Sequence, residues 1–227
     1  MSMVARCSVT DGVARPRTNP WLVLALLLVI YIFNFADRYL LTGLIGPIKA
    51  AFNLGDGFMG LLMGPAFVVL YVLGGVPIAR FADRSSRVRI IAVGCVMWSL
   101  STMATGFATG PVSLALARVG VGIGEAAFVA PAYSLLTDYF RSERRGLAFA
   151  ILGLATSAGQ IAGQGGGPVL AELHGWRTAF WIMGAPGILL GLLLLLTVAG
   201  IGHAARRSLR TQPDHGRGTV SASSNGF

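Results

Sequence analysis

Asp37 and Arg38 stand in the middle of an otherwise apolar run from Trp21 to Leu44, and Arg118 and Glu125 stand in another, from about 111 to 138. Both runs reach the roughly 17–25 residues that an α-helix needs to cross a bilayer core. Each charge left facing lipid near a helix centre costs about 2.5–3.5 kcal/mol, so four together approach ~10–14 kcal/mol. That is as much as most folds hold in reserve. The four groups must therefore pair with one another or line a wet cavity, and the helices that bear them must pack to allow it.

The rest of the chain agrees with a bilayer setting. Only 12% of the 227 residues are charged, against about a quarter in a soluble domain. Glycine, commoner in membrane helices than in soluble ones, occurs 31 times. Six spans are predicted, at about 21–44, 57–80, 89–107, 111–138, 146–171 and 176–200, with no long loop between them. The expected fold is an all-α, six-transmembrane-helix bundle over residues 21–200. Residues 1–20 form a polar leading segment and residues 201–227 a disordered basic tail. A cleaved signal peptide does not fit, because the run after Trp21 continues to Leu44 without a small-residue cleavage site.

The net charge of +9 raises the question of nucleic acid, and the placement of the basic residues answers it. Fourteen arginines fall in the leading segment, the 2–3 loop, the 4–5 loop and the tail, against only Lys49 and Arg177 in the other loops. By the positive-inside rule both termini are cytoplasmic, in a cell (inner) membrane, and no nucleic-acid partner is needed to explain the charge. Cys7 and Cys95 lie in the leading segment and mid-span, so no disulfide framework is implied. His174, His203 and His215 lie at or beyond span ends, and neither a metal-ligand spacing nor G-x-S-x-G occurs, which argues against an intramembrane enzyme and implies no cofactor or metal.

On span 4, Arg118, Val121, Gly122 and Glu125 share one face, with Arg118 and Glu125 about 10 Å apart along the axis. That is too far for a direct pair, so charges from span 1 must complete the set. The expectation is Arg38 with Glu125 and Asp37 with Arg118 as alternating partners, with Asn34 one turn away on span 1. A desolvated carboxylate that loses its Arg partner is readily protonated. Asp37 and Glu125 are thus expected to take up protons when a substrate competes for Arg38 or Arg118, unless the network is purely structural. Gly159, Gly163 and Gly167 recur every four residues on span 5 and offer a small face for close approach, as do Gly60 and Gly64 on span 2. Gly165, Gly166 and Pro168 weaken the far end of span 5.

The two arginine-rich inner loops are candidate gates or plain topology signals. One contains Asp83, Arg84 and Arg87; the other contains Asp138, Glu143 and Arg144. Their similar placement after spans 2 and 4 is consistent with an internal repeat of three helices, a mark of secondary transporters. Ala82-Asp83-Arg84-Ser85-Ser86-Arg87 resembles the major facilitator superfamily signature G-x-L-A-D-R-x-G-R-[KR], with Ala79 and Ser86 at its glycines and Val88 at its last basic position. Leu114 to Ala126, with Arg118, resembles that superfamily's motif on span 4; Glu143-Arg144-Arg145-Gly146 and Gly175-Trp176-Arg177 also match. The span 5 antiporter motif is only partly present, since Ala171 and Glu172 replace its closing glycine pair.

Within the superfamily, Asn34-Phe35-Ala36-Asp37-Arg38 together with Gly122-Ile123-Gly124-Glu125-Ala126 resembles the spinster family. The resemblance implies proton-linked movement of lysolipid-like or sphingosine phosphate-like amphiphiles across the bilayer. It implies Asp37 as the proton-sensitive group, Arg38 and Glu125 as a switching pair, and Arg118 as a headgroup contact. It also implies twelve helices in two halves. Six helices therefore imply a fragment, or a half that pairs with a second six-helix half or a second copy, the fragment being preferred. The other class of reading is a non-transporting six-helix membrane protein with a structural or regulatory role.

Overall fold

The structure, a computed structural model, describes residues 19–82 and 86–199. Asp83 and Arg84, nearly all of the 1–20 segment and the 201–227 tail lie outside the described residues. What is described is helical throughout, with six helices long and apolar enough to cross a membrane.

Span 1 is α1 (Pro20–Gly43). Asn19 starts it, its side chain accepting the Trp21 N–H at 3.0 Å, and Pro20 occupies the first turn, where a missing N–H costs nothing. The following stretch, expected as a loop, contains a short helix, α2 (Ile45–Phe52). It forms because Ile48 has an apolar cluster to bury against, with Leu44 and Met59. It ends at Asn53 in the left-handed region, φ 51°.

Span 2 is two rods, α3 (Asp56–Met63) and α4 (Pro65–Ala82), parted at Gly64. Pro65 has no N–H to donate, and its ring crowds the carbonyl one turn back. The expected packing face of Gly60 and Gly64 does not form. Nothing lies within 4 Å of a Cβ placed at Gly60, and at Gly64 only the Gly60 carbonyl of the same span does, at 3.0 Å. These glycines ease a bend and receive no neighbour.

Span 3 is α5 (Arg87–Gly106). Span 4 divides into α6 (Pro111–Ala126) and α7 (Val129–Tyr139), because the ring of Pro131 displaces the carbonyl of Ala127. Span 5 runs as α8 (Ser142–Ile161), a π turn over Ala162–Gly166 and α9 (Gly167–His174). Pro168 stands opposite the Gln164 carbonyl there, and the helix widens to clear it. Span 6 is α10 (Trp176–Leu194), continued by a second π turn over Leu195–Ala199.

The packing has an internal symmetry. Span 1 lies against spans 5 and 6, span 4 against spans 2 and 3, and span 3 against span 6. Exchanging 1 with 4, 2 with 5 and 3 with 6 leaves this set of neighbours unchanged. The bundle is thus two three-helix repeats. Glycine brings the axes together: a Cβ at Gly163 would lie 2.4 Å from the Ala36 carbonyl oxygen of α1, and one at Gly124 would lie 2.6 Å from the Trp98 amide of α5. The small face read on span 5 is therefore the seat of α1.

Buried apolar side chains form two clusters. One joins Val23, Leu27 and Ile30 to Trp98, Phe128 and Leu152; the other joins Leu40, Leu41 and Leu44 to Met59, Leu114 and Phe180. Between them lies a buried polar layer of Asn34, Asp37, Ser99, Thr102, Arg118 and Glu125. Outward positions such as Val72, Leu73, Leu116, Leu154 and Leu189 are exposed aliphatics, as a lipid-facing surface requires.

Candidate functional site

The polar layer is built from facing positions of α1, α5 and α6, with two rings from α4. Arg38 on α1 donates to Oε2 of Glu125 on α6 through both Nε, at 2.8 Å, and Nη2, at 2.5 Å. Both bonds fall on one oxygen. Oε1 of Glu125 is buried with no partner among the described residues. Glu125 has no solvent exposure, while the Arg38 side chain keeps 26% of its own. The pair is anchored on the acid side and open on the base side.

Three aromatic rings surround the Arg38 guanidinium: Phe35 at 5.0 Å, Phe67 at 4.8 Å and Tyr71 at 5.2 Å from their centroids. Arg118 approaches the same Phe67 ring, at 5.4 Å. Two cations thus share one ring face system, each within the roughly 6 Å over which a ring attracts a cation. Arg118 is almost fully buried, and its Nε has no hydrogen-bond partner among the described residues. Among the described residues no carboxylate lies within ion-pair distance of it.

The arginines open onto a hollow of about 230 Å³, lined also by Tyr39, Thr42, Met63, Phe67 and Tyr71. Among the described residues its charged lining groups are Arg38 and Arg118. Such a space suits the anionic headgroup of a ligand, and it is smaller than the roughly 300–1,000 Å³ that encloses a drug-sized molecule.

Asp37 is not beside Arg118 in the expected ion pair. It turns toward α5, where the Thr102 hydroxyl donates to its Oδ2 at 3.4 Å, and its Oδ1 has no partner among the described residues. The physical reason is angular: consecutive residues on a helix point about 100° apart, so Asp37 and Arg38 cannot face the same neighbour. Arg38 faces α4 and α6, and Asp37 faces α5. In the same buried layer, the Trp98 indole N–H, the Ser99 hydroxyl and both polar atoms of Asn34 have no partners among the described residues. Thr102→Val keeps the volume and removes the donor. It is expected to cost about 1–3 kcal/mol of stability in thermal unfolding, with Thr102→Ser close to wild type.

Of the loop residues, Arg87 bonds to Asp138 and, at 3.4 Å, to the Ser134 carbonyl, tying the start of α5 to the end of α7. Glu143 accepts from the Ser142 hydroxyl at 3.2 Å, and Arg144 is exposed. The neighbouring Arg145 does more for the fold, donating to the carbonyls of Thr137 and Phe140 at 2.9 and 3.0 Å at the end of α7. Asp83 and Arg84 are outside the described residues. Reading the sequence for charges missed the aromatic and hydroxyl partners. The pair Phe67 and Tyr71, four apart on one face of span 2, and the run Ser99, Ser101, Thr102 and Thr105 in span 3 were the available signals.

Comparison with known proteins follows the same lines. The family model of the Major Facilitator Superfamily matches residues 27–222. An MFS-type efflux pump of Mycolicibacterium smegmatis is 35% identical over 193 residues, which cover 85% of this chain and 44% of the pump. A sphingosine-1-phosphate transporter of Danio rerio is 28% identical over 171 residues, 74% of this chain and 34% of that protein. The crystal structure of a bacterial homolog of the human lysosomal transporter Spinster, inward-facing and unoccupied, superposes with a TM-score of 0.74. It is 37% identical, and the match covers 80% of this chain and 43% of that one. The chain spans less than half the length of these relatives.

Proposed function

The chain belongs to the major facilitator superfamily, a family of membrane transporters rather than enzymes, and on that premise we propose that it is one six-helix half of a secondary carrier. Its cargo is an amphipathic or otherwise anionic small molecule, lysolipids being the class that fits best, and its movement is linked to protons. The observation that carries this reading is Arg118: a buried guanidinium with no carboxylate within ion-pair distance among the described residues, facing a hollow it shares with Arg38. A bound anion satisfies it. The relatives that are named for spinster and for sphingosine-1-phosphate transport support the amphiphile class.

The proton link follows from the one-sided pair. An anion that draws Arg38 away strands Glu125 in a fully buried position, where an unpaired carboxylate is costly. Taking up a proton removes that cost, so substrate binding and protonation move together. Asp37, with Thr102 as its neutral partner, is the second proton carrier. Asn34 lies one turn from it in the same buried layer. A second six-helix half, or a second copy of this chain, closes the hollow and supplies the room for an acyl chain. We place the carrier in the cell (inner) membrane with both termini cytoplasmic, on the distribution of arginines. Arg87 and Asp138 tie that side together, and with Glu143 and Arg144, and with Asp83 and Arg84 on the sequence alone, they are assigned to the gate.

Binding of a radiolabelled anionic lysolipid to the purified chain in detergent tests the headgroup site. Arg118→Ala is expected to weaken it about 10- to 100-fold, the worth of one or two hydrogen bonds to a charge. Unchanged binding in that variant sinks the assignment and favours a non-transporting structural role. In proteoliposomes holding the chain with a complementing half, uptake is expected to collapse with the pH gradient. Asp37→Asn and Glu125→Gln are expected to lose that gradient dependence.

A further inference from the structure

A second cavity lies away from the arginine hollow. It is an apolar groove of about 900 Å³ between α4, α5 and α6, lined by Pro77 and Ile78, by Ile90, Val93 and Met97, and by Ile123. Only its mouth is polar, where Ser86 and Arg89 line it at the start of α5. Arg89 is exposed, and Val93 keeps 65% of its surface. Among the described residues no carboxylate lines the groove, and Asp138, at the same end of the bundle, is bonded to Arg87.

The dimensions narrow the occupant. Ser86, Ile90, Val93 and Met97 form one stripe along α5, and at 1.5 Å per residue the stripe runs about 16 Å from the helix end. That is half of the roughly 30 Å hydrocarbon core, the depth of one leaflet. A slot that is basic at the membrane surface, apolar below it and one leaflet deep matches a phospholipid standing in its ordinary orientation. The Arg89 guanidinium, which has no partner among the described residues, selects an anionic headgroup, since Arg and phosphate form charge-assisted hydrogen bonds and basic pockets between membrane helices are known to hold such headgroups.

We propose that the α4–α5–α6 groove is a binding site for one anionic phospholipid of the surrounding leaflet, its phosphate on Arg89 and Ser86 and an acyl chain along Ile90, Val93 and Met97. The lipid is a standing component of the bundle and not its cargo: groove and hollow share no lining residue. It fills the gap beside α4, the span whose aromatic rings cover Arg38 and Arg118.

Native mass spectrometry of the full chain, titrated in mild detergent with phosphatidylglycerol or phosphatidylcholine of matched acyl chains, tests this. The wild type is expected to retain phosphatidylglycerol about five- to ten-fold more strongly, the worth of one arginine at a membrane surface. Arg89→Gln is expected to bring it down to the level of phosphatidylcholine. Val93→Trp fills the groove from an exposed position and is expected to reduce both lipids. Arg141→Gln, equally basic and at the same end but outside the groove, is expected to keep the wild-type preference, which separates a site from general surface charge. Equal retention of the two lipids by the wild type overturns the proposal. So does an Arg89→Gln chain that still prefers phosphatidylglycerol, or a Val93→Trp chain that binds as the wild type does. A dimer that forms without retained lipid does the same, assigning the groove to a second copy.

Discussion

Replacing Arg38 with Ala is expected to lower the unfolding free energy by about 3–5 kcal/mol, because it leaves Glu125 charged and alone where no water reaches. The cost arises on the acid. Arg38 itself touches solvent and would tolerate separation, whereas Glu125 has no exposure and no other donor among the described residues. Removing both partners is therefore expected to be milder than removing one: Arg38→Ala with Glu125→Ala should recover most of the loss. Glu125→Gln keeps the shape and removes the charge, and should fall between them. Helicity followed by circular dichroism during titration with a denaturing detergent gives these stabilities, and Glu125→Ala alone completes the cycle. A double variant no more stable than Arg38→Ala alone means that the stranded Glu125 carboxylate carries no cost, which overturns this account.

The second large effect concerns the seat of α1. Gly163→Val is expected to destabilise the bundle by about 1–3 kcal/mol or more, and to impair substrate binding as well. A Cβ at Gly163 would stand 2.4 Å from the Ala36 carbonyl oxygen and 3.0 Å from the Leu40 amide. Both are backbone atoms, so no rotamer change relieves the clash and α1 itself must shift. Asp37 and Arg38 shift with it. The expected effects are graded. Gly167→Ala meets the tip of the Leu40 side chain, which can turn aside, and is expected to be milder than Gly163→Ala. Gly165→Ala and Gly166→Ala meet nothing within 4 Å and are expected to be neutral or slightly stabilising. The same detergent titration ranks them, and a Gly163→Val chain as stable as Gly165→Ala would show that α1 does not rest on span 5 as described.

The spans and the intramembrane charges were legible because each rests on a strong local signal. Twenty apolar residues in a row have few uses other than a bilayer, and a charge inside such a run demands a partner. The four-residue spacing of Gly159, Gly163 and Gly167 was legible for a similar reason, since only a close neighbour makes use of a bare helix face. Partner choice was less legible. Arg38 meets Glu125, while Asp37 meets a hydroxyl, and nothing in a one-dimensional count of charges says that Thr102 would lie closer than Arg118. Neutral donors and aromatic faces compete with formal charge inside a membrane, and their residues are too common in apolar spans to stand out. The glycines of span 2 were misread as a packing face because spacing alone does not distinguish a contact from a bend. Pro65 beside Gly64 was the distinguishing mark. The short helix Ile45–Phe52 was missed because its eight residues lie below the length at which periodicity is informative.

The parting of span 2 at Gly64 has a mechanical result. Phe67 and Tyr71, the rings laid over the two guanidinium groups, both ride on the rod after the joint, whereas the rod before it carries Met59 and Leu62 into the apolar cluster around Leu44. The rod after the joint rests on α6, and the rod before it is seated by those two side chains. A change of bend at Gly64 would therefore carry the two rings across the face of α6 and leave the anchor of Met59 and Leu62 where it stands.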